Sequence, residues 1–132
     1  MARKPNILFI MTDQQRADHV GFMGNGVVQT PHLDSLAASG CVFENAWVSN
    51  PVCMPNRATI LTGRMPTAHG VIFNDRSLDW HANTFVRQLR ADGYRTALLG
   101  KSHLQHGMSR NAVVDFRGEG AVLPSEPDGW DQ

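Results

Sequence analysis

Cys53 and Arg57 are the two side chains whose types and spacing most directly allow chemistry in this 132-residue chain. Pro51 and Pro55 interrupt regular structure on both sides of the cysteine, and the residues that follow read as a helix ending at Gly63. The spacing therefore predicts Cys53 just before a helix N-terminus, where N–H groups and the helix dipole favour a thiolate or a bound anion. Arg57 lies about one turn later and can reach back. The alternative is a structural cysteine beside a surface arginine.

Two further polar pairs follow apolar segments. Residues 6–12 are continuously apolar, which predicts a buried parallel strand, and Asp13 and Gln14 come directly after them. Lys101 and His103 follow another predicted strand in the same way. Open α/β sheets bind ligands at the carboxyl ends of their strands. We therefore expect both pairs to converge with the cysteine around one anion-sized site.

The elements that must position these residues alternate between strand and helix. That order predicts an α/β fold, with a partial, parallel-rich sheet flanked by helices. Residues 1–107 form this domain portion, and glycine and proline make residues 108–132 read as an irregular tail. Predicted strands cover residues 6–12, 41–48 and 94–100, and predicted helices cover residues 32–39, the segment from 56 to Gly63, and residues 84–91 after a cap at Asn83 or Thr84.

Composition excludes several classes of function. The chain has 12 basic and 12 acidic side chains, so no charge excess indicates a nucleic-acid partner. Cys41 and Cys53 are the only cysteines, which disfavours a disulfide framework but leaves one bridge open. The apolar run near the N-terminus is too short for a membrane span or signal peptide, which favours a cytoplasmic chain without a membrane partner. His69 is predicted to organise a loop, because no histidine pair has zinc spacing.

Four segments carry a resemblance to a known family. The pattern C-x-P-x-R-x4-T-G from Cys53 to Gly63 resembles the sulfatase signature, in which the cysteine is oxidised to formylglycine. Residues 5–16, 30–37 and 100–103 resemble three other segments of sulfatases of the alkaline phosphatase superfamily, in the family's order. His32 replaces a common asparagine, and Ser102 replaces a tryptophan. The resemblance implies the N-terminal portion of the alkaline phosphatase-like fold.

The resemblance also implies a cofactor set. Asp13, Gln14 and the residue at position 53 would ligate a divalent cation, with Ca²⁺ expected and Mg²⁺ or Mn²⁺ as alternatives. Formylglycine made from Cys53, hydrated to a geminal diol, would supply the hydroxyl oxygen that attacks sulfur and displaces the alcohol. Loss of a proton from the second hydroxyl would then expel sulfate. A plain serine or cysteine lacks that second hydroxyl and could stall as a covalent ester.

The remaining roles are likewise implied by the resemblance. Arg57 would hold the nucleophile, and Lys101 would bridge the nucleophile and the substrate. His103 would hydrogen-bond the diol and assist proton removal, since an ordinary histidine titrates near neutrality. Asn74 would contact substrate oxygens. Taken singly, Lys101 is a solvated charge and His103 a loop histidine; their shared motif favours the functional interpretation.

The implied partners are a small-molecule sulfate ester and, during maturation, a formylglycine-generating enzyme. Gln14 stands where many sulfatases have a second aspartate, and this leaves a phosphonate or phosphate monoester hydrolase as an alternative. Sulfatases are several times longer, and nothing after Leu104 matches their downstream metal ligands. We therefore expect the chain alone to be inactive and prone to self-association. The remaining alternative is a non-catalytic fragment that acts as a binding or assembly module.

Overall fold

The computed structural model describes residues 4–105 and the backbone of residues 114–116. The chain divides into an N-terminal unit, Met1–Ala46, and a C-terminal unit, Trp47–Gln132. The elements of the described residues are, in order, the 3₁₀ helix Gly21–Met23, α1 (Pro31–Ser39), α2 (Cys53–Thr62), α3 (Pro66–His69), α4 (Phe85–Ala91), β1 (Thr96–Leu98) and β2 (Val114–Phe116).

Helix α1 confirms the helix predicted in the N-terminal unit. It begins at Pro31, whose fixed φ suits the first helical position, and Thr30 precedes it as the N-cap. The Thr30 hydroxyl accepts from Gly21 N at 2.7 Å and donates to Asp34 Oδ1 at 2.8 Å. Asp34 Oδ1 also accepts from Phe22 N at 2.8 Å, so these bonds fasten the 3₁₀ helix to α1.

Two predicted strands are corrected. Residues 6–12 and 41–48 form no strand, and their large apolar side chains are exposed instead of buried, with Leu8 at 84%, Phe43 at 78% and Trp47 at 90%. A strand depends on hydrogen bonds to a neighbouring strand, and no segment of residues 4–105 or 114–116 pairs with either run. An apolar composition thus favours a strand, but the strand forms only where a neighbouring strand supplies hydrogen bonds.

The C-terminal unit contains a small apolar core. Met54, Ala58, Val71 and Leu78 are buried together, and Ala82 and Leu104 pack against them. Met54 and Ala58 lie four residues apart, which places them on the same face of α2. The helix ends as predicted at Gly63, whose φ of 66° lets its N–H bond the Thr59 carbonyl at 2.8 Å.

Helix α4 is also confirmed, because the Thr84 hydroxyl caps it by accepting from Arg87 N at 3.2 Å. Strand β1 covers three of the predicted residues 94–100 and pairs antiparallel with β2. The predicted parallel-rich sheet is therefore not confirmed, since the two other candidate strands form none. Strand β2 departs from the predicted irregular tail, whose other residues lie outside the described range, as does the proposed boundary at residue 107. None of the helices within residues 4–105 is long and apolar enough to cross a membrane.

Candidate active site

Cys53 is the first residue of α2, whereas the sequence predicted a helix from residue 56. The earlier start is physically allowed, because Pro55 in the first turn lacks an N–H that would have no acceptor within the helix. Val52 provides an extended N-cap with φ −82° and ψ 145°. Cys53 and Cys41 are both free thiols, so the two cysteines form no disulfide bond. The thiol of Cys53 is half-buried.

A lysine from a distant part of the chain lies beside the thiol. Lys101 Nζ is 3.9 Å from Cys53 Sγ, across 48 residues of sequence. Arg57 is 8% exposed, and its Nη1 donates to the Lys101 carbonyl at 2.9 Å. The arginine on α2 therefore positions the backbone of the residue that brings a second cation to the cysteine.

The segment carrying Lys101 is also fixed to the core. Leu78 N donates to the Leu104 carbonyl at 2.8 Å, and Gln105 Nε2 donates to the Leu78 carbonyl at 2.8 Å. Leu78 is itself buried in the core. Residues 101–105 are thus held by one backbone bond and one side-chain bond to Leu78 at one end and by Arg57 at the other.

His103 adopts an uncommon backbone conformation within that segment. In residues 4–105, the only non-glycine residues with positive φ are His103 at 47° and Gln14 at 51°. Both are residues that the sequence analysis assigned to a site. Such conformations cost free energy in side-chain-bearing residues and occur preferentially at functional sites. This observation supports a functional hypothesis for both positions without defining their roles.

Two asparagines anchor the start of α2. Asn74 Oδ1 accepts from Met54 N at 2.9 Å, and Asn50 Oδ1 accepts from Val52 N at 2.9 Å. Asn50 Nδ2 also donates to the Ile72 carbonyl at 3.3 Å. Sequence reasoning missed the role of Asn50, although asparagine before proline is a common turn residue. Asn74 therefore bonds the start of the helix, and its predicted contact with substrate stays a prediction.

His69 is the last residue of α3, within a segment that the sequence analysis predicted to be a loop, and its side chain organises the turn that follows the helix. Its Nδ1 accepts from Val71 N at 3.1 Å, and its Nε2 lies 3.0 Å from Thr59 Oγ1 on α2. Loss of solvation on burial lowers the pKa of His69 from its usual value of 6.5, partly opposed by a hydrogen bond with its own backbone.

The predicted metal ligands belong to the other unit. Asp13 and Gln14 are exposed residues of the N-terminal unit. The described residues contain no group of three or more His, Cys, Asp or Glu side chains that could hold a metal ion. The structure thus brings Cys53, Arg57 and Lys101 together within one unit, and the predicted joint ligation of a metal by Asp13, Gln14 and position 53 stays a prediction.

The arrangement around Cys53 suits an anion beside a nucleophile. The N-terminal end of α2 carries partial positive charge, and Lys101 adds a full positive charge near the thiol. An anionic group bound there would lie within reach of the atom at position 53. The local chemistry therefore favours attack on an anionic ester over binding of an apolar ligand.

Comparison with known proteins agrees with a site for anionic esters. A family model described as Sulfatase matches residues 5–122. An ulvan-active sulfatase of Formosa agariphila is 44% identical over 111 residues, covering 84% of this chain and 22% of the relative. An arylsulfatase of Clostridium perfringens is 41% identical over 102 residues, covering 76% of this chain and 21% of the relative. The chain thus spans about a fifth of the length of these curated relatives.

Solved structures agree with this comparison. The structure of a protein in complex with its substrate D-glucosamine-2-N,6-O-disulfate is similar with a TM-score of 0.75 and 36% identity, covering 77% of this chain and 21% of that chain. A sulfatase structure from Bacteroides fragilis is similar with a TM-score of 0.73 and 36% identity, covering 81% of this chain and 25% of that chain. These neighbours have the alkaline phosphatase-like α/β fold.

Proposed function

Because the chain belongs to the sulfatase family, we propose that its protein hydrolyses sulfate monoesters at the site marked by Cys53. The observation that carries the proposal is the distance of 3.9 Å between Lys101 Nζ and Cys53 Sγ at the first residue of α2. A sulfate monoester is an anion, and its transition state builds further negative charge on the leaving oxygen. Positive charge fixed beside the nucleophile stabilises that transition state.

The roles of the chain's own residues follow from their contacts. Lys101 binds a sulfate oxygen and faces the nucleophile, while Arg57 holds the Lys101 backbone in place through a 2.9 Å hydrogen bond. Asn74 orients the start of α2 through Met54 N and contacts a substrate oxygen. By the family resemblance, His103 holds and removes a proton at the nucleophile.

Position 53 fits the aldehyde residue that the family motif implies. Formylglycine, made from Cys53 by a formylglycine-generating enzyme, would supply a hydrated aldehyde with two hydroxyl groups as nucleophile and internal releasing group. The free, half-buried thiol lies at the first helical position, within reach of a cation. Formylglycine at position 53 would lie beside the same cation, Lys101, as the cysteine does.

A divalent cation fits the chemistry of Asp13 and Gln14 only in part. Carboxylate and amide oxygens are ligands that Ca²⁺ prefers, with Mg²⁺ or Mn²⁺ as alternatives. Two side chains with position 53 supply fewer than the roughly six to eight oxygens of a calcium site. When bound, the ion would neutralise charge on the ester oxygens. We therefore propose that residues 1–132 alone hydrolyse little or no ester.

An ester assay tests this proposal, with p-nitrophenyl sulfate and an aryl phosphonate as substrates. It uses residues 1–132 and a version completed to the length of the relatives, each co-expressed with a formylglycine-generating enzyme. We expect sulfate hydrolysis in the longer version, loss of it in Cys53→Ala, and retention in the matched Cys41→Ala control. Preference for the phosphonate would favour the alternative that Gln14 suggests. Activity that survives Cys53→Ala would contradict the mechanism.

Maturation has its own measurement, because conversion of cysteine to formylglycine lowers the intact mass by about 18 Da. We expect this loss only with the generating enzyme present, and peptide mapping should place it at Cys53 and not at Cys41. Modification of neither cysteine under these conditions would contradict the formylglycine part of the proposal.

A further inference from the structure

We propose that His69 is a positioning residue for the Cys53 site, acting as a neutral clamp between α2 and residues 70–74. The chemical role of the Cys53 site rests on the proposed function. The clamp itself does not, because it consists of hydrogen bonds in the C-terminal unit. The clamp needs an uncharged imidazole. Its integrity, and with it the order at the start of α2, therefore depends on the protonation state of His69.

The bonding of the ring requires one tautomer. Val71 N–H can only donate, so His69 Nδ1, at 3.1 Å, must accept and carries no proton. In the neutral ring the proton is then on Nε2, which donates to Thr59 Oγ1 at 3.0 Å. Both ring nitrogens are thus used, one toward α2 and one toward the chain after α3.

The contact with α2 extends one step further. Thr59 Oγ1 also lies 3.3 Å from Ser49 Oγ. Because Thr59 accepts from His69, its own hydroxyl proton is available to the serine. The segment before α2, the helix itself and the end of α3 are therefore connected through three polar side chains. Protonation of the histidine adds a proton at Nδ1, so it disrupts the bond to Val71 N and leaves Nε2–H as a donor to Thr59.

The contact with Val71 leads back to the candidate site. Val71 is 1% exposed and packs with Met54 and Ala58 of α2. The next residue, Ile72, accepts a hydrogen bond from Asn50, and Asn74 accepts one from Met54 N, beside Cys53. His69 thus fixes Val71, and the residues that follow it, Ile72 and Asn74, make two further hydrogen bonds to the start of α2 and the residues before it.

Protonation would oppose this arrangement directly. A charged imidazole has N–H groups on both nitrogens, so Nδ1–H would face the Val71 N–H and one hydrogen bond would become a repulsion. Among the elements packed against α3, α2 carries two titratable side chains, Cys53 and Arg57, and Arg57 donates to the Lys101 carbonyl. Arg64, in the turn before α3, is exposed, and no charged neighbour is a cause of the lowered pKa.

The sign of the pH dependence follows from the lowered pKa. The folded state disfavours the charged ring, so the contribution of His69 is fully present above its usual value of 6.5. It is lost as the pH falls below that value and through the folded pKa. We therefore expect the site to be ordered near pH 7.5 and to loosen on acidification.

Nuclear magnetic resonance of the 132-residue chain tests the clamp without any activity. We expect ¹⁵N–¹H spectra to show His69 as the Nε2–H tautomer and to place its titration below the usual value of 6.5. A Nδ1–H tautomer, or titration of His69 at or above 6.5, would overturn the inference. This readout is independent of metal, formylglycine and substrate.

A second readout reports on the site itself. Alkylation by anionic iodoacetate and by neutral iodoacetamide both consume the thiolate, so their rate ratio measures attraction of an anion and cancels the thiolate fraction. We expect this ratio at Cys53, relative to exposed Cys41, to fall about threefold as His69 becomes charged. His69→Asn, which keeps an acceptor for Val71 N–H, should retain the ratio near pH 7.5 without its pH dependence. His69→Leu should lower it about threefold.

The outcomes separate this inference from the proposed function. An elevated ratio at Cys53 that is equal with charged and neutral His69 would contradict the positioning role alone. A ratio at Cys53 no higher than at Cys41 throughout would contradict the proposed anion site and the positioning role with it. Thr59→Val, which replaces the hydroxyl with a methyl group and so removes the contact with His69 Nε2, should also lower the ratio at Cys53 and serves as the variant should His69→Leu fail to fold.

Discussion

The two units of the chain differ in what holds them together. In the C-terminal unit, four apolar side chains form a buried core, and two of them come from the helix that begins with Cys53. In the described part of the N-terminal unit, only Val20 is a buried apolar residue. Polar bonds around Asp34 dominate there, and a groove of about 490 Å³ remains open beside apolar residues such as Val20, Leu33, Leu36 and Val42.

This difference shows which part of the proposed site is built by local contacts. Lys101 Nζ lies beside Cys53, and Arg57 bonds the Lys101 carbonyl, through contacts inside one unit. The predicted metal ligands, Asp13 and Gln14, follow an apolar segment with Ile7 at 57% and Ile10 at 68% exposure. We propose that this segment needs partners from a longer protein, whereas the C-terminal unit organises its own part of the site.

The largest expected effect comes from the core of the C-terminal unit. Met54 is 0% exposed, so Met54→Ala should lower the free energy of unfolding by about 2–5 kcal/mol in urea denaturation. Leu8→Ala is the matched change in the N-terminal unit, and Leu8 is 84% exposed. We expect less than about 0.5 kcal/mol from it. Equal losses from both variants would remove the distinction between the units.

A smaller loss is expected from the polar network of the N-terminal unit. A Cβ added at Gly21 would lie 2.9 Å from Asp34 Cγ, and that carboxylate is already fixed by Phe22 N and Thr30. Gly21→Ala should therefore destabilise by about 1–3 kcal/mol. Gly26→Ala is the control, because nothing lies within 4 Å of its added Cβ. If thermal melts of both variants match, the network does not constrain this unit.

The helix cap in the C-terminal unit should have a more modest effect. Thr84→Ala removes the hydroxyl that accepts from Arg87 N, and we expect a loss of about 1 kcal/mol. Thr84→Ser keeps an acceptor and should recover most of it. Hydrogen exchange at the Arg87 amide gives the local reading, and unchanged protection in Thr84→Ala would argue against the cap.

The smallest effect is expected at the surface of the N-terminal unit. Hydrogen bonds from Arg16 and then His19 hold the pKa of the Asp18 carboxyl well below its usual value of 3.8. The stability that Asp18 contributes is therefore present above pH 3.8 and lost as the pH falls through the folded pKa. We expect a slight loss in Asp18→Asn near neutral pH, reduced by salt. A loss that persists in strong acid would contradict this assignment.

Helix caps and stop signals were predictable from the sequence, whereas the short helix α3 and most of the strand assignments were not. Thr30, Gly63 and Thr84 act locally as caps or stop signals, and the structure confirms the helices that they delimit. The three predicted strands depend on hydrogen-bonded neighbours, so residues 6–12 and 41–48 form none and only Thr96–Leu98 is paired. Sequence periodicity does not contain the identity of a partner strand.

In the candidate site as well, some features were predictable from the sequence and others were not. The motif predicted that Cys53 and Lys101 belong together, although no local rule joins residues 48 positions apart. The contribution of Asn50 was missed: its bond to Val52 N is local, whereas its bond to the Ile72 carbonyl depends on where residue 72 passes the helix. The early start of α2 was also missed, since Pro55 reads as an interruption until its place in the first turn is known.

The most direct test measures whether Lys101 makes position 53 a site for anions. The ratio of iodoacetate to iodoacetamide rates at Cys53 should exceed that at Cys41, and Lys101→Met should lower it roughly fivefold, as for a unit charge about 4 Å away in water. Lys4→Met, which alters the chain's other lysine, should leave the ratio unchanged. A Cys53 ratio that equals that of Cys41, or that ignores the loss of Lys101, would contradict the account.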